Sequence, residues 1–106
     1  MLLNIFPKGL EHNLMFKDLY DNYLPNNNNN KHTISNDSLI LIQDGVYFGA
    51  WHIQKSPTTK LNIYAIEIDV IARGLCSVFD DMQMIKLISY EEFVDLVIKH
   101  DKSITW

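Results

Sequence analysis

The chain has 106 residues, a hydrophobic fraction of 47% and a formal net charge of −4. That length suits one domain, residues 1–106, with a single core, and an acidic balance with Arg73 as its sole arginine argues against a chain that grips nucleic acid by itself, which needs a basic stripe. Apolar runs stay short of the ~20 residues that span a bilayer, and the opening Met1-Leu2-Leu3-Asn4 lacks the basic region of a secretory signal, so the expected location is the cytoplasm.

Leu2, Leu3, Ile5 and Phe6 predict a first strand, ended by Pro7 and Gly9. From Asn13, a candidate N-cap, the apolar residues Leu14, Met15, Leu19, Tyr23 and Leu24 recur at helical spacing. Pro25 closes that helix. The five asparagines Asn26 to Asn30 have little apolar surface to bury and read as a mobile loop within the domain.

Leu39-Ile40-Leu41-Ile42 is a continuous apolar run between polar residues, which suits a strand buried on both faces of a parallel sheet. Val46 to Ile53 then predicts a helix rich in aromatics. Leu61 to Ile66 is a third strand. Asp69 is placed to cap a helix over Val70 to Leu75, with Gly74 near its end. Met82 to Ile88 reads as a fourth strand. Ser89 and Glu92 have the spacing of a capping box, opening a final helix with Phe93, Leu96 and Val97 on one face and Lys99 and His100 in its last turn. Ser103 to Trp106 closes as a short tail of extended character. Alternating strands and helices define an α/β fold: three layers, a mainly parallel sheet with helices on both faces.

Chemistry is sparse. No phosphate-binding glycine motif and no nucleophile elbow is present, so no cofactor is expected. The histidines His12, His32, His52 and His100 lack metal-ligand spacing, and a single cysteine, Cys76, excludes both an internal disulfide and a cysteine-built zinc site within this chain. Cys76 is the one candidate for covalent chemistry, because a thiolate of lowered pKa can carry a persulfide. Its place after a helix end, among Leu75, Val78 and Phe79, argues instead for a half-buried structural thiol. Asp44 follows a strand, where ligands of parallel sheets bind, and shares that rim with Glu67 or Asp69. A receiver-like or small-ligand role for Asp44 is one reading; helix capping by Asp44 and Asp69 is the favoured one. Tyr47, Phe48, Trp51 and Trp106 are candidate interface residues, since aromatics are enriched where proteins meet.

Three segments carry a resemblance. LILIQDGVYFGA (39–50) resembles the "LLLxQDGVYAA" element of the TusB/DsrH family of sulfur-relay proteins. NIYAIEIDVIARGL (62–75) resembles that family's "xxYALxxDxxARGL", and SYEEFVDLVIKHDKSITW (89–106) its ending, "DYxxFVxLxxKHxxxxxW". Order, spacing and length agree over nearly the whole chain, with residues 26–30 standing out as extra.

The resemblance implies a DsrE-like fold and membership of a TusBCD-type complex. There, three homologous chains form a dimer of heterotrimers that passes a persulfide sulfur from an upstream to a downstream carrier. The sulfur ends in the 2-thio group of the wobble uridine of certain tRNAs, and the sulfur-bearing cysteine belongs to the TusD chain. DsrH proteins of sulfur oxidisers carry a cysteine in the first helix; Leu14 to Leu24 has none. Cys76 follows Arg73-Gly74, whereas the TusD-like cysteine precedes its Arg-Gly step. The expectation is therefore a non-catalytic subunit with TusC-like and TusD-like partners, without direct nucleic-acid or membrane contact. The alternative is a sulfurtransferase that carries a persulfide on Cys76.

Overall fold

The computed structural model describes residues 2–23, 37–53 and 59–106, with His52 described by its backbone only. The asparagine run 26–30 lies outside the described residues. Among the described residues, five strands, β1 (Leu2–Phe6), β2 (Ser38–Leu41), β3 (Asn62–Ile66), β4 (Ile85–Ile88) and β5 (Lys102–Thr105), form one sheet in the order β4-β3-β2-β1-β5. Every pairing is parallel. The helices are α1 (Asn13–Asp21), α2 (Val46–Phe48), α3 (Glu67–Ala72), α4 (Cys76–Asp80) and α5 (Tyr90–Lys99).

The strand order explains the layers. From β1 to β4 the chain moves steadily toward one edge, so right-handed crossovers place the intervening helices on one face. The return from β4 to β5 runs the other way and puts α5 on the opposite face. Alternation along the strands supplies two apolar surfaces. Phe6, Leu39, Leu41, Ile63, Ala65 and Ile85 meet Phe16 and Leu19 of α1, Val46 and Phe48 of α2, and Phe79 of α4. Leu3, Ile5, Ile40, Ile66 and Ile88 meet Phe93 and Leu96 of α5. Among the described residues, one face is thus covered by several helices and the other by a single one.

Aromatic rings lock the larger core. Phe16 and Phe48 stack with centroids 4.2 Å apart, and the Phe6 ring stands nearly perpendicular to both, with centroids 5.1 and 5.3 Å away. Such pairs contribute about 0.5–1.5 kcal/mol each beyond burial.

Several local boundaries differ from the sequence reading, each for a physical reason. A 3-10 turn, Leu10–His12, leads into α1, so Asn13 is the first helical residue and His12 the cap. The aromatic helix is one regular turn, α2, continued by a π-helical turn over Gly49–Ile53. The helix expected after Asp69 starts earlier, at Glu67 with Ile66 as N-cap. It ends at Gly74, whose φ of +67° admits two closing bonds: Gly74 N–H to the Ile71 carbonyl at 3.1 Å, and Leu75 N–H to the Val70 carbonyl at 3.1 Å. That stop makes room for α4. The capping box at Ser89 is formed, with Glu92 N–H donating to Ser89 Oγ at 3.2 Å and Ser89 N–H to Glu92 Oε1 at 3.2 Å.

The tail is the fifth strand. Trp106 extends its ladder by donating its backbone N–H to the Ile5 carbonyl at 2.9 Å. Its indole N–H donates to the Oδ1 of buried Asn4 at 3.1 Å, and Asn4 Nδ2 donates to the Ser38 carbonyl at 3.1 Å. His100, the C-cap of α5, lies 2.9 Å from Ser38 Oγ through Nε2 and 2.7 Å from the Leu96 carbonyl through Nδ1. These polar contacts satisfy Asn4 and Ser38, which are otherwise costly to bury, and tie β5 to the sheet centre.

Candidate functional site

The carboxyl edge of the sheet gathers a charged cluster of Asp44, Asp69 and Arg73. After β2 the chain turns through Gln43 at φ 51°, a left-handed value uncommon outside glycine. Its N–H donates to Asp69 Oδ2 at 2.8 Å. Arg73, at the end of α3, donates to Asp44 Oδ1 from Nε at 3.0 Å and makes a 2.9 Å ion pair with the same oxygen from its NH2 group. Its NH1 group reaches the Asp69 carbonyl at 3.2 Å and the Asp69 carboxylate at 3.7 Å. Tyr90, opening α5, donates its hydroxyl to Asp69 Oδ2 at 3.1 Å. Partial burial, followed by that bond to a carboxylate, raises the Tyr90 pKa.

Asp44 and Asp69 therefore come together on one guanidinium. Neither caps a helix: no side-chain cap bond is made at the start of α2 or α3. This corrects the capping assignment, and the reason is the early start of α3, which puts Asp69 inside its first turn, facing Gln43 and Tyr90. The cluster clamps the β2 turn, α3 and α5 to one another. Glu67 is exposed on the same rim.

Cys76 departs in part from its expected setting. It follows the end of α3 as expected, but it also opens α4, and it is exposed rather than half-buried. Among the described residues, no group of three or more His, Cys, Asp or Glu side chains is placed to hold a metal.

The four aromatics separate. Phe48 is 1% exposed, a core residue whose ring stacks on Phe16. Trp106 is half-buried and engaged within the chain. Tyr47 is half-buried, and Trp51, on the π-helical turn, is 55% exposed.

An exposed apolar feature outside this cluster lies on α5. Phe93 and Leu96 face the sheet, while Tyr90, Val94, Val97 and Ile98 form an outward stripe at i, i+4, i+7 and i+8. Val94 is 54% and Ile98 76% exposed. Val97, expected on the core face, belongs with this stripe and is partly exposed. Ile68 and Ile71 of α3 are exposed as well. A signal was present in sequence: α5 carries more apolar residues than one buried face accommodates.

A parallel three-layer α/β domain with a clamped carboxyl edge and an apolar outer helix face is the class of protein these features define. The family model described as "DsrH like protein" matches residues 29–103, and the chain belongs to that family. It is 40% identical over 76 residues to Protein TusB of Yersinia enterocolitica serotype O:8 / biotype 1B, covering 68% of this chain and 77% of the relative. It is 38% identical over 78 residues to Protein TusB of Yersinia pestis (strain Pestoides F), with the same coverage. Protein TusB of Yersinia pseudotuberculosis serotype O:1b matches at 38% over 78 residues, again covering 68% and 77%. No described helix is long and apolar enough to cross a membrane.

Proposed function

We propose that this chain is a non-catalytic subunit of a cytoplasmic sulfur-relay complex that serves 2-thiolation of the wobble uridine of tRNA. It assembles with TusC-like and TusD-like paralogues as a dimer of heterotrimers, and the complex exchanges sulfur with an upstream and a downstream persulfide carrier. The tRNA is held elsewhere. Family membership supports the relay assignment. The observation that carries the subunit role is the α5 stripe of Tyr90, Val94, Val97 and Ile98, on the sheet face that, among the described residues, only one helix covers. An apolar helix face left in water is unfavourable, and burial against a partner recovers about 25 cal/mol per Å².

Co-expression with the paralogous chains tests this. A stoichiometric three-chain complex is expected, with Val94→Glu or Ile98→Glu leaving this chain folded but unassembled. A chain that remains monomeric beside both paralogues would sink the reading.

Exposure of the Cys76 thiol favours one rival, persulfide carriage by this chain. Cys76→Ser decides between them: undiminished sulfur transfer by the reconstituted complex removes the rival, and its loss establishes it.

A further inference from the structure

On the opposite side of the sheet from α5, the exposed Trp51 stands between two surface depressions. One, of about 510 Å³, is lined by Ala50, Leu75, Val78 and Asp81 along with Trp51. The other, of about 500 Å³, is lined by Leu10, Glu11, Asp44 and Tyr47 along with Trp51. Both have apolar floors. The charged residues described in their linings are all acidic: Glu11 and Asp44 on one side and Asp81 on the other. Arg73 offsets much of the Asp44 charge. Glu11, with a highly exposed side chain whose described ionic contact is a 3.9 Å approach to His12, and the exposed Asp81 put a carboxylate on either side of the indole.

We infer that the Trp51 groove docks an extended, basic segment of a partner protein: its apolar side chains enter the two depressions and an arginine or lysine sits on the Trp51 ring. The chemistry is complementary throughout. Cations are attracted to the face of an indole, most strongly among aromatic rings. The acidic rims steer a basic chain toward the groove and repel an acidic one. A partner here leaves the α5 stripe free, so this surface is separate from the one proposed for the paralogues.

The test uses a short fluorescein-labelled peptide of alternating leucine and arginine, with a leucine–glutamate peptide of equal length as control. Fluorescence anisotropy on the whole chain is expected to detect the basic peptide and not the acidic one. Trp51→Ala is expected to weaken binding about tenfold, with circular dichroism confirming an unchanged fold. The paired change Glu11→Gln and Asp81→Asn is expected to weaken binding and flatten its salt dependence. Absence of binding by the basic peptide, equal binding of both peptides, or indifference to Trp51→Ala would overturn the inference. The readout needs only this chain and so does not depend on whether the three-chain complex forms.

Discussion

Arg73 places two of its nitrogens, Nε and that of its NH2 group, on a single carboxylate oxygen of Asp44, at 3.0 and 2.9 Å. The pair joins the end of α3 to the turn after β2, across 29 residues of sequence. It is the outer half of a clamp whose inner half is Asp69. The two aspartates differ in exposure, 57% against 13% for their side chains, and this sets their energetic weight.

Asp44→Asn is expected to lower stability by at most about 1 kcal/mol, because an exposed ion pair is screened by water. Asp69→Ala is expected to cost about 1–3 kcal/mol, since the Gln43 N–H and Tyr90 hydroxyl both lose their acceptor. Urea unfolding of the two variants checks the order. Equal losses would show that Asp69 does not hold the turn.

Gly45 sits where a side chain has no room. A Cβ there would lie 1.9 Å from the Phe6 carbonyl oxygen, so the turn after β2 must shift off the end of β1. Gly45→Ala is expected to cost about 3 kcal/mol or more. Gly74→Ala meets no atom within 4 Å and bears only the left-handed backbone penalty, about 1–2 kcal/mol. Thermal unfolding of both variants would expose an inverted order at once.

Trp106→Phe keeps an aromatic ring but removes the N–H that satisfies Asn4. A loss of about 1–3 kcal/mol is expected from the orphaned buried amide. Amide hydrogen exchange should show the loosening confined first to β5 and the end of α5. Uniform acceleration across the sheet would mean that β5 is not a separately held strand.

Alkaline pH should unfold the protein from the tyrosine side. Burial pushes Tyr20 up to about 12. Burial, and then the 2.7 Å hydrogen bond to the Asp37 carboxylate, push Tyr23 up to about 12. In the unfolded chain both ionise near 10. The folded state therefore retains protons that the unfolded state has released. That stabilisation is complete below pH 10 and is lost as pH rises from 10 through 12. Urea midpoints should fall between about pH 9 and pH 11, less steeply in Tyr23→Phe. A midpoint unchanged over that interval would contradict the assignment.

What the amino-acid order determined by itself is the element pattern. Apolar runs such as 39–42 are too short for helices and too continuous for a half-exposed sheet, so they demand a covered parallel sheet. The Ser89–Glu92 box and the stop at Gly74 are legible because capping and left-handed turns are local chemistry. The family resemblance was likewise readable from residues in order. Tertiary structure alone decided what each side chain meets. Phe48 and Trp51 are three positions apart, yet one is core and the other surface, because the regular helix gives way to a π-helical turn between them. Asp69 became a tether and not a cap because α3 starts at Glu67 and brings its carboxylate to Gln43 and Tyr90. The α5 stripe is apolar in sequence, but only the strand order, which leaves one described helix on that face, makes it an outer surface. Local chemistry acts over a few residues and is written in sequence; burial is a sum over the whole fold.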